Sequence, residues 1–476
     1  MYQAKHYAED GNGGNSKTAM ILSIAVCVFI LFVLGILAWA LPQPTYSEQE
    51  RRDLAQMPEF TAESFFKGEY TTKIELSYAD TFAFRDQFVK AKSLIEEMRG
   101  IQDGGTLHGK VPTNNEDDES EPSSGTETQP ESSSSLPEVP DTSQSGSSSE
   151  SQSEASSSEP EQPEEPDDGE TGETIEGIFV YKGMGFELFG GSKKASAYYA
   201  SVINKYRKAL PDSVNVYNMV VPKHAEFALP KKYQSLSNSE KDAIDDIYSQ
   251  LDEGVTAVDA YSVLKEHSKE YIYFNTDHHW TGLGAYYAYT AFTEAAGLPH
   301  YEYSDYTKHT IEGFLGTLYS DTLDSKMASN PDSVEWCEFP VENQTWQYKK
   351  GDLENYYSTT VMASYAKGAY SYGVYLGGDF PLTIVKTSGV NSGRKCVIIK
   401  ESYGNALSTY IAAAFDETYI IDERYYEGNL VDLITERGIT DVLIINNISA
   451  SNTNYHIANI EALLTQKYSG SIKYPF

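Results

Sequence analysis

The strongest constraint on the fold is a series of short, nearly continuous apolar runs separated by amphipathic segments of helix length in residues 175–476. The runs fall at 214–222, 395–400, 418–422 and 441–445; Lys395-Cys396-Val397-Ile398-Ile399-Lys400 is the clearest. A strand with one wet face alternates apolar and polar residues, whereas a continuous apolar strand must be covered on both faces. Segments 192–210, 239–251, 281–296, 405–415 and 430–438 have helical periodicity and can supply that cover, with Pro211 and the pair Gly297 and Pro299 as stop signals. Shorter strands are expected at 177–183, 255–261 and 271–274, and a helix at 262–268. The pattern predicts an α/β domain with a parallel sheet covered by helices on both faces. In such sheets functional groups gather at the carboxyl ends of the strands.

Upstream the chain changes character. Residues 18–41 read TAMILSIAVCVFILFVLGILAWAL, without a charge. At about 1.5 Å per residue this run spans a roughly 30 Å hydrocarbon core with some tilt. Ala38-Trp39-Ala40 fits the small-residue pattern of a cleaved signal peptide. The run is longer than the usual apolar region of such peptides, so an uncleaved N-terminal transmembrane helix is expected. Lys17 abuts the span with Lys5 before it, while Arg51 and Arg52 lie farther beyond, which puts residues 1–17 in the cytoplasm and the main domain outside. Residues 42–110 carry recurring aromatic and aliphatic side chains and are assigned to the folded part. Residues 111–174 are mostly Ser, Glu, Pro and Gln, cannot bury enough apolar surface to offset their ordering entropy, and are expected to be disordered.

The net charge is −34, and roughly half of it comes from the acidic tract. The remainder is acidic too, which repels nucleic acid and anionic headgroups and excludes nucleic acid as a partner. Tyrosine outnumbers phenylalanine 37 to 19; its ring serves wet surfaces and sugar faces as readily as ordinary packing. Of the three cysteines, Cys27 lies in the apolar N-terminal run, and Cys337 and Cys396 are the candidates for an intradomain disulfide. Cys396 sits in an apolar strand, so a buried free thiol is the expected state.

Two clusters carry candidate chemistry. Asp277, His278 and His279 follow an expected strand end and precede a helix. A carboxylate two residues from an imidazole can hold the ring in the tautomer that takes a proton from a nucleophile. The same residues with His224 could instead ligate a metal, or the histidines could bond to backbone near the helix start. The second cluster, Glu401-Ser402-Tyr403-Gly404-Asn405, leaves the apolar strand at Lys400 and opens a helix. That turn can present a serine hydroxyl above a sheet, with backbone amides at the helix start for an oxyanion; a plain N-cap serine fits it as well. Paired glycines at Gly377-Gly378 could form a second amide-donor site. His224, Arg424 and Asn446 also end strands and could line a cleft.

The string Asp277-His278-His279-Trp280 resembles the motif of the DHHW protein family of Gram-positive bacteria. The resemblance extends to Glu50–Pro58, Asp80–Arg85, Val221–His224, Gly313–Leu318 and Glu401–Tyr403. That family is similar to the alginate O-acetyltransferase (AlgJ/AlgX) family, whose catalytic domain is SGNH-hydrolase-like. The resemblance implies Asp277 as orienting acid, His279 as base and Ser402 as nucleophile, with Glu401 and Tyr403 where Asp and Phe are usual. His278, Trp280, Gly378 and Tyr403 join His224, Arg424 and Asn446 as cleft candidates.

The implied activity is O-acetyl transfer to, or acetyl-ester cleavage from, a cell-envelope polysaccharide, with no cofactor or metal. Glycan and acyl donor would be the partners, and a multi-pass membrane protein would deliver the acyl group. A non-catalytic glycan-binding or envelope-assembly protein of the same fold is the rival; it does not require the three side chains to converge.

Overall fold

The computed structural model describes residues 177–476 continuously and, before them, only residues 29, 46–47, 52–53, 56–58, 60–61, 70, 74, 77 and 106–108. The expected anchor at 18–41, apart from Phe29, the acidic tract at 111–174 and most of 42–110 therefore lie outside the described residues. Among the described residues no helix is long and apolar enough to cross a membrane. The chain divides into two compact units, residues 1–99 with 125–142 and residues 100–124 with 143–476. In the first, Tyr46–Ser47 pairs antiparallel with Arg52–Asp53, and the Phe60 and Tyr70 rings meet edge to face.

The second unit is built on an eight-stranded sheet. Its spatial order is Asp352–Thr359, Asn343–Lys349, Leu382–Thr387, Glu417–Asp422, Lys395–Lys400, Asp441–Asn447, Asn215–Val221 and Val255–Ala257. The last five run parallel; four of them are the continuous apolar runs, and the fifth, Val255–Ala257, is a short and largely exposed edge strand. The first three are antiparallel, so the sheet is mixed rather than purely parallel. The reason is chain length: a parallel pass needs a crossover of a dozen residues or so, and the connection 388–394 contains no helix. Asn343–Lys349, with sequence NQTWQYK, lacks the continuous apolar pattern and pairs as a hairpin with its neighbour.

Side chains of each central strand alternate between two cores. Cys396 and Ile398 enter a layer with Trp280, Tyr289 and Leu407, under helices Ala260–Glu266, Gly282–Ala296 and Gly404–Ile411. Val397 and Ile399 enter a layer with Tyr199, Ile247 and Ile434, under helices Lys193–Ala209, Glu240–Ser249, Leu430–Arg437 and Asn454–Ala462. Both faces are thus covered by helices. Cys337 and Cys396 are buried free thiols.

Two smaller sheets flank this core. Thr106–His108, Ile178–Tyr181 and Met184–Glu187 form an antiparallel trio, and Lys308–Phe314 pairs with Asp332–Cys337. The segment 271–274, expected as a strand, joins no sheet; Tyr273 makes one isolated bridge to Trp280. Residues 271–281 are a loop folded back on itself, and Asp277 sits at its tip rather than at a sheet edge.

Candidate active site

The loop that carries Asp277 is held by a buried carboxylate. Asp332 accepts from the Asn275 and Thr276 amides at 2.8 and 2.7 Å, from the Thr276 hydroxyl at 2.6 Å and from the Tyr271 hydroxyl at 2.5 Å. Burial pushes the Asp332 carboxyl up, and those donors oppose the shift. The Gly316 amide and the Phe314 carbonyl bond the Thr276 hydroxyl, so the loop is anchored from the 308–322 region. Gly316 has no room for a side chain: a Cβ there would lie 2.2 Å from the Asp277 Cβ.

Asp277 uses both oxygens. Oδ1 accepts from His279 Nδ1 at 2.6 Å and from the His279 amide at 3.0 Å. Oδ2 accepts from the Thr317 amide at 2.8 Å and the Thr317 hydroxyl at 3.1 Å. With Nδ1 protonated toward the carboxylate, Nε2 accepts a hydrogen bond from the Ser402 hydroxyl at 2.7 Å. Burial, then the neighbouring His278, lower the His279 pKa below its usual value, and Asp277 opposes them. The imidazole is therefore neutral near pH 7 and can take a proton. The Tyr372 ring stacks on it at 3.9 Å and 11° between planes, and the Tyr372 hydroxyl donates to the Ser402 carbonyl at 3.0 Å.

Ser402 stands in the turn after Lys395–Lys400. Glu401 secures that turn: its carboxylate accepts from the Tyr403 amide at 2.9 Å and, from the neighbouring strand's end, the Asn447 amide at 2.9 Å. The Gly404 and Asn405 amides donate to the Glu401 and Ser402 carbonyls. Beneath lies a buried charge cluster. Lys400 Nζ is 2.7 Å from Asp422, Arg424 bonds Asp422 at 2.7 and 2.8 Å and Asp379 at 2.9 Å, and Asn405 donates to Asp379 at 2.8 Å. Although burial works against ionisation, Arg424 and Lys400 hold the Asp379 carboxyl far below the usual range.

The other cleft candidates divide. His278 is half-buried beside the pair, its Nδ1 2.6 Å from the Thr317 hydroxyl. Arg424 is fixed in the charge cluster. Trp280 and Tyr403 are fully buried and brace the site: the indole N–H donates to the Tyr403 carbonyl at 3.0 Å, and the Tyr403 hydroxyl donates to the His278 carbonyl. Asn446 faces the opposite core, where its Oδ1 accepts from Tyr199. Gly378 gives its amide to the Tyr375 carbonyl at 3.3 Å, which removes it as an oxyanion donor. His224 stacks on Tyr273, with Phe186 tilted against it, and burial lowers its pKa to about 4. It does not join the other histidines: the clustered donors among the described residues are Asp277, His278 and His279. Both ring nitrogens of His279 already have partners, which leaves that set poorly arranged for an ion.

Thr317, Tyr372 and Asp332 carry no sequence signal of a role in the site, although Thr317 lies within the Gly313–Leu318 segment; Asp379 adjoins the Gly377-Gly378 candidate and enters through its side chain rather than as a backbone donor.

Residues 50–421 match the DHHW protein family. The chain belongs to the DHHW protein family. A solved DHHW family protein from Eubacterium siraeum is 33% identical, with 62% of this chain and 96% of that one covered and a TM-score of 0.56. Bacillus cereus PatB1, solved with a sulfonyl adduct, is 17% identical over 61% of this DHHW chain and 98% of its own, at a TM-score of 0.51, and shares the fold. The O-acetyltransferase domain of Pseudomonas putida AlgJ is 14% identical over 60% and 96%, at a TM-score of 0.35. No curated protein sequence gives a significant match.

Proposed function

We propose that this DHHW protein is a serine-dependent O-acyltransferase or acetylesterase acting on a cell-envelope glycan. The observation that carries the reading is the relay Asp277–His279–Ser402, closed by contacts of 2.6 and 2.7 Å. A glycan-binding protein of the same fold has no need of it.

Ser402 Oγ attacks the carbonyl carbon of an acetyl ester while its proton passes to His279 Nε2. Asp277 keeps the ring oriented and stabilises the imidazolium. The tetrahedral oxyanion is met by the Ser402 amide, which donates to none of the described groups. Collapse breaks the bond to the donor alcohol, which takes the proton from His279 and leaves acetyl-Ser402. A sugar hydroxyl, or water, then gives its proton to His279 and attacks the acetyl carbon, restoring Ser402. Anchorage through residues 18–41 would hold this site at the outer membrane face of the cell, beside its glycan and an acyl-delivering membrane partner.

A sulfonyl fluoride tests the nucleophile directly, in keeping with the sulfonyl adduct described for PatB1. The full chain should become covalently labelled at Ser402 and release acetate from acetylated glycan or a small acetyl ester. Ser402→Ala should do neither. Equal labelling and turnover in Ser402→Ala would sink the proposal.

A further inference from the structure

We propose that His278 is a positioning residue for Asp277 and acts through Thr317. Its Nδ1–H donates to the Thr317 hydroxyl, which in turn donates to Asp277 Oδ2, so the relay to Ser402 begins two groups before the carboxylate. The inference deepens the enzymatic reading and rests on it for the consequence at Ser402. Three contacts carry it. The Thr317 hydroxyl oxygen lies 2.6 Å from His278 Nδ1 and 3.1 Å from Asp277 Oδ2, and the Thr317 amide donates to the same carboxylate oxygen at 2.8 Å. A hydroxyl has one proton to give. If that proton went to His278, hydroxyl lone pairs would face the Asp277 carboxylate, which is 2% exposed, with no proton between them. A bond to an ionised acceptor is the stronger one, so the hydroxyl proton points to Asp277. The 2.6 Å contact is then bridged from the other side, by a proton on His278 Nδ1.

The His278 ring is fixed for this task. It packs against the His279 ring, 3.9 Å between centroids, and the Tyr403 ring, 6.2 Å away, and the Tyr403 hydroxyl donates to the His278 carbonyl. Its second nitrogen, Nε2, has no hydrogen-bond partner among the described residues, and the side chain is half-buried. Nε2 can therefore gain or lose a proton while Nδ1 keeps its own, and the chain of donors holds for the neutral and the charged imidazole alike. The benefit falls on Asp277. Two donors from one residue fix Oδ2, which leaves Oδ1 to the His279 amide and Nδ1. Without a donor on His278 the Thr317 hydroxyl is free to turn, and Oδ2 loses one of its donors. The adjacent histidines thus have different tasks: His279 faces Ser402, and His278 sets the direction of the hydrogen bonds behind the carboxylate.

Nitrogen-15 NMR of the full chain with labelled histidine reads the proton directly and does not depend on whether Ser402 reacts. Histidine free in water favours the Nε2–H tautomer. Neutral His278, assigned by the loss of its signals in His278→Phe, should instead carry its proton on Nδ1, and Thr317→Val should return it to Nε2–H. The rate of Ser402 sulfonylation reads the consequence. His278→Phe keeps the ring contacts but has no Nδ1, and should slow labelling about three- to tenfold, the effect of one lost hydrogen bond. His278→Asn, whose amide NH2 can replace Nδ1–H, and Thr317→Ser, which keeps the hydroxyl, should retain most of the rate. Because His278 acts through Thr317, the double variant His278→Phe with Thr317→Val should label no more slowly than Thr317→Val alone. The proposal is overturned by an Nε2–H tautomer at His278 in the parent, or by a double variant whose loss is the product of the two single losses. An Nδ1–H tautomer in a chain whose Ser402 takes no label would support the proton chain and overturn the enzymatic reading alone.

Discussion

Replacing Asp277 by Asn is the sharpest probe of the relay, because the change is nearly isosteric and its consequence follows from hydrogen-bond polarity. The carboxylate receives donors on both oxygens: His279 N and Nδ1 on one side, Thr317 N and Oγ1 on the other. An amide offers a single acceptor oxygen and a donor NH2. If the NH2 faces His279, the ring must turn its unprotonated nitrogen toward it, Nε2 carries the proton, and the serine loses its base. If the NH2 faces Thr317, the Thr317 amide is buried against another donor, at a penalty of about 1–3 kcal/mol, and the imidazolium loses its counter-charge. The first arrangement removes the base and the second leaves it without its counter-charge; the equivalent change in a serine triad lowers turnover by about 10⁴. That factor corresponds to about 5.5 kcal/mol of transition-state stabilisation. The rate of Ser402 sulfonylation under pseudo-first-order conditions reads the step directly, and acetyl-ester turnover should fall in parallel. A folded Asp277→Asn chain that labels within tenfold of the parent would refute the reasoning.

Two further outcomes follow from the charges. Because burial lowers the His279 pKa below 6.5, the base form prevails at neutrality; the labelling rate should be flat near pH 7 and fall as pH drops through a midpoint below 6.5, and a midpoint above 7 would contradict the burial account. Asp422→Asn leaves Lys400 and Arg424 buried with one carboxylate between them; breaking a buried pair of this kind costs about 3–5 kcal/mol, read as a lower urea midpoint, and an unchanged midpoint would show the cluster to be neutral for stability.

The parallel half of the sheet was legible because burial on both faces leaves a local mark: Lys395–Lys400 can be read without knowing its neighbours. The antiparallel half was not. Asn343–Lys349 owes its place to a hairpin partner and to Leu382–Thr387, contacts that no local periodicity records. The Asp277, His279 and Ser402 set was legible through the motif, while the loop's setting was misjudged. Tyr271–Phe274 has strand-like residues, yet its pairing partner is its own return at Trp280. Trp280 and Tyr403 looked like cleft residues because of their neighbours in sequence; full burial makes them braces instead. Gly378 was read for its small size alone, which suits a close amide approach as well as the tyrosine contact it makes.

The two halves of the site are fixed by different physical means. Ser402 inherits its position from the sheet, since it follows a central strand and Glu401 ties its turn to the amide of Asn447 on the next strand. The Asp277–His279 pair lies on no strand of the sheet, and its loop is held by polar contacts with the region 308–337, chiefly Asp332 and Thr317. A loop held by buried carboxylates keeps its geometry only while each donor is present, because an unmatched buried polar group is costly. The chain order Asp, His, Ser is a consequence of this division: Asp277 and His279 arrive on an early excursion, and Ser402 arrives later, after the core strand. The contact between Trp280 and the Tyr403 carbonyl then couples the two halves directly. Registration between His279 and Ser402 is therefore set by a buried indole one residue beyond His279 and a carbonyl one residue beyond Ser402, which gives the tryptophan of the DHHW motif a structural task distinct from the role proposed for its acid and histidine.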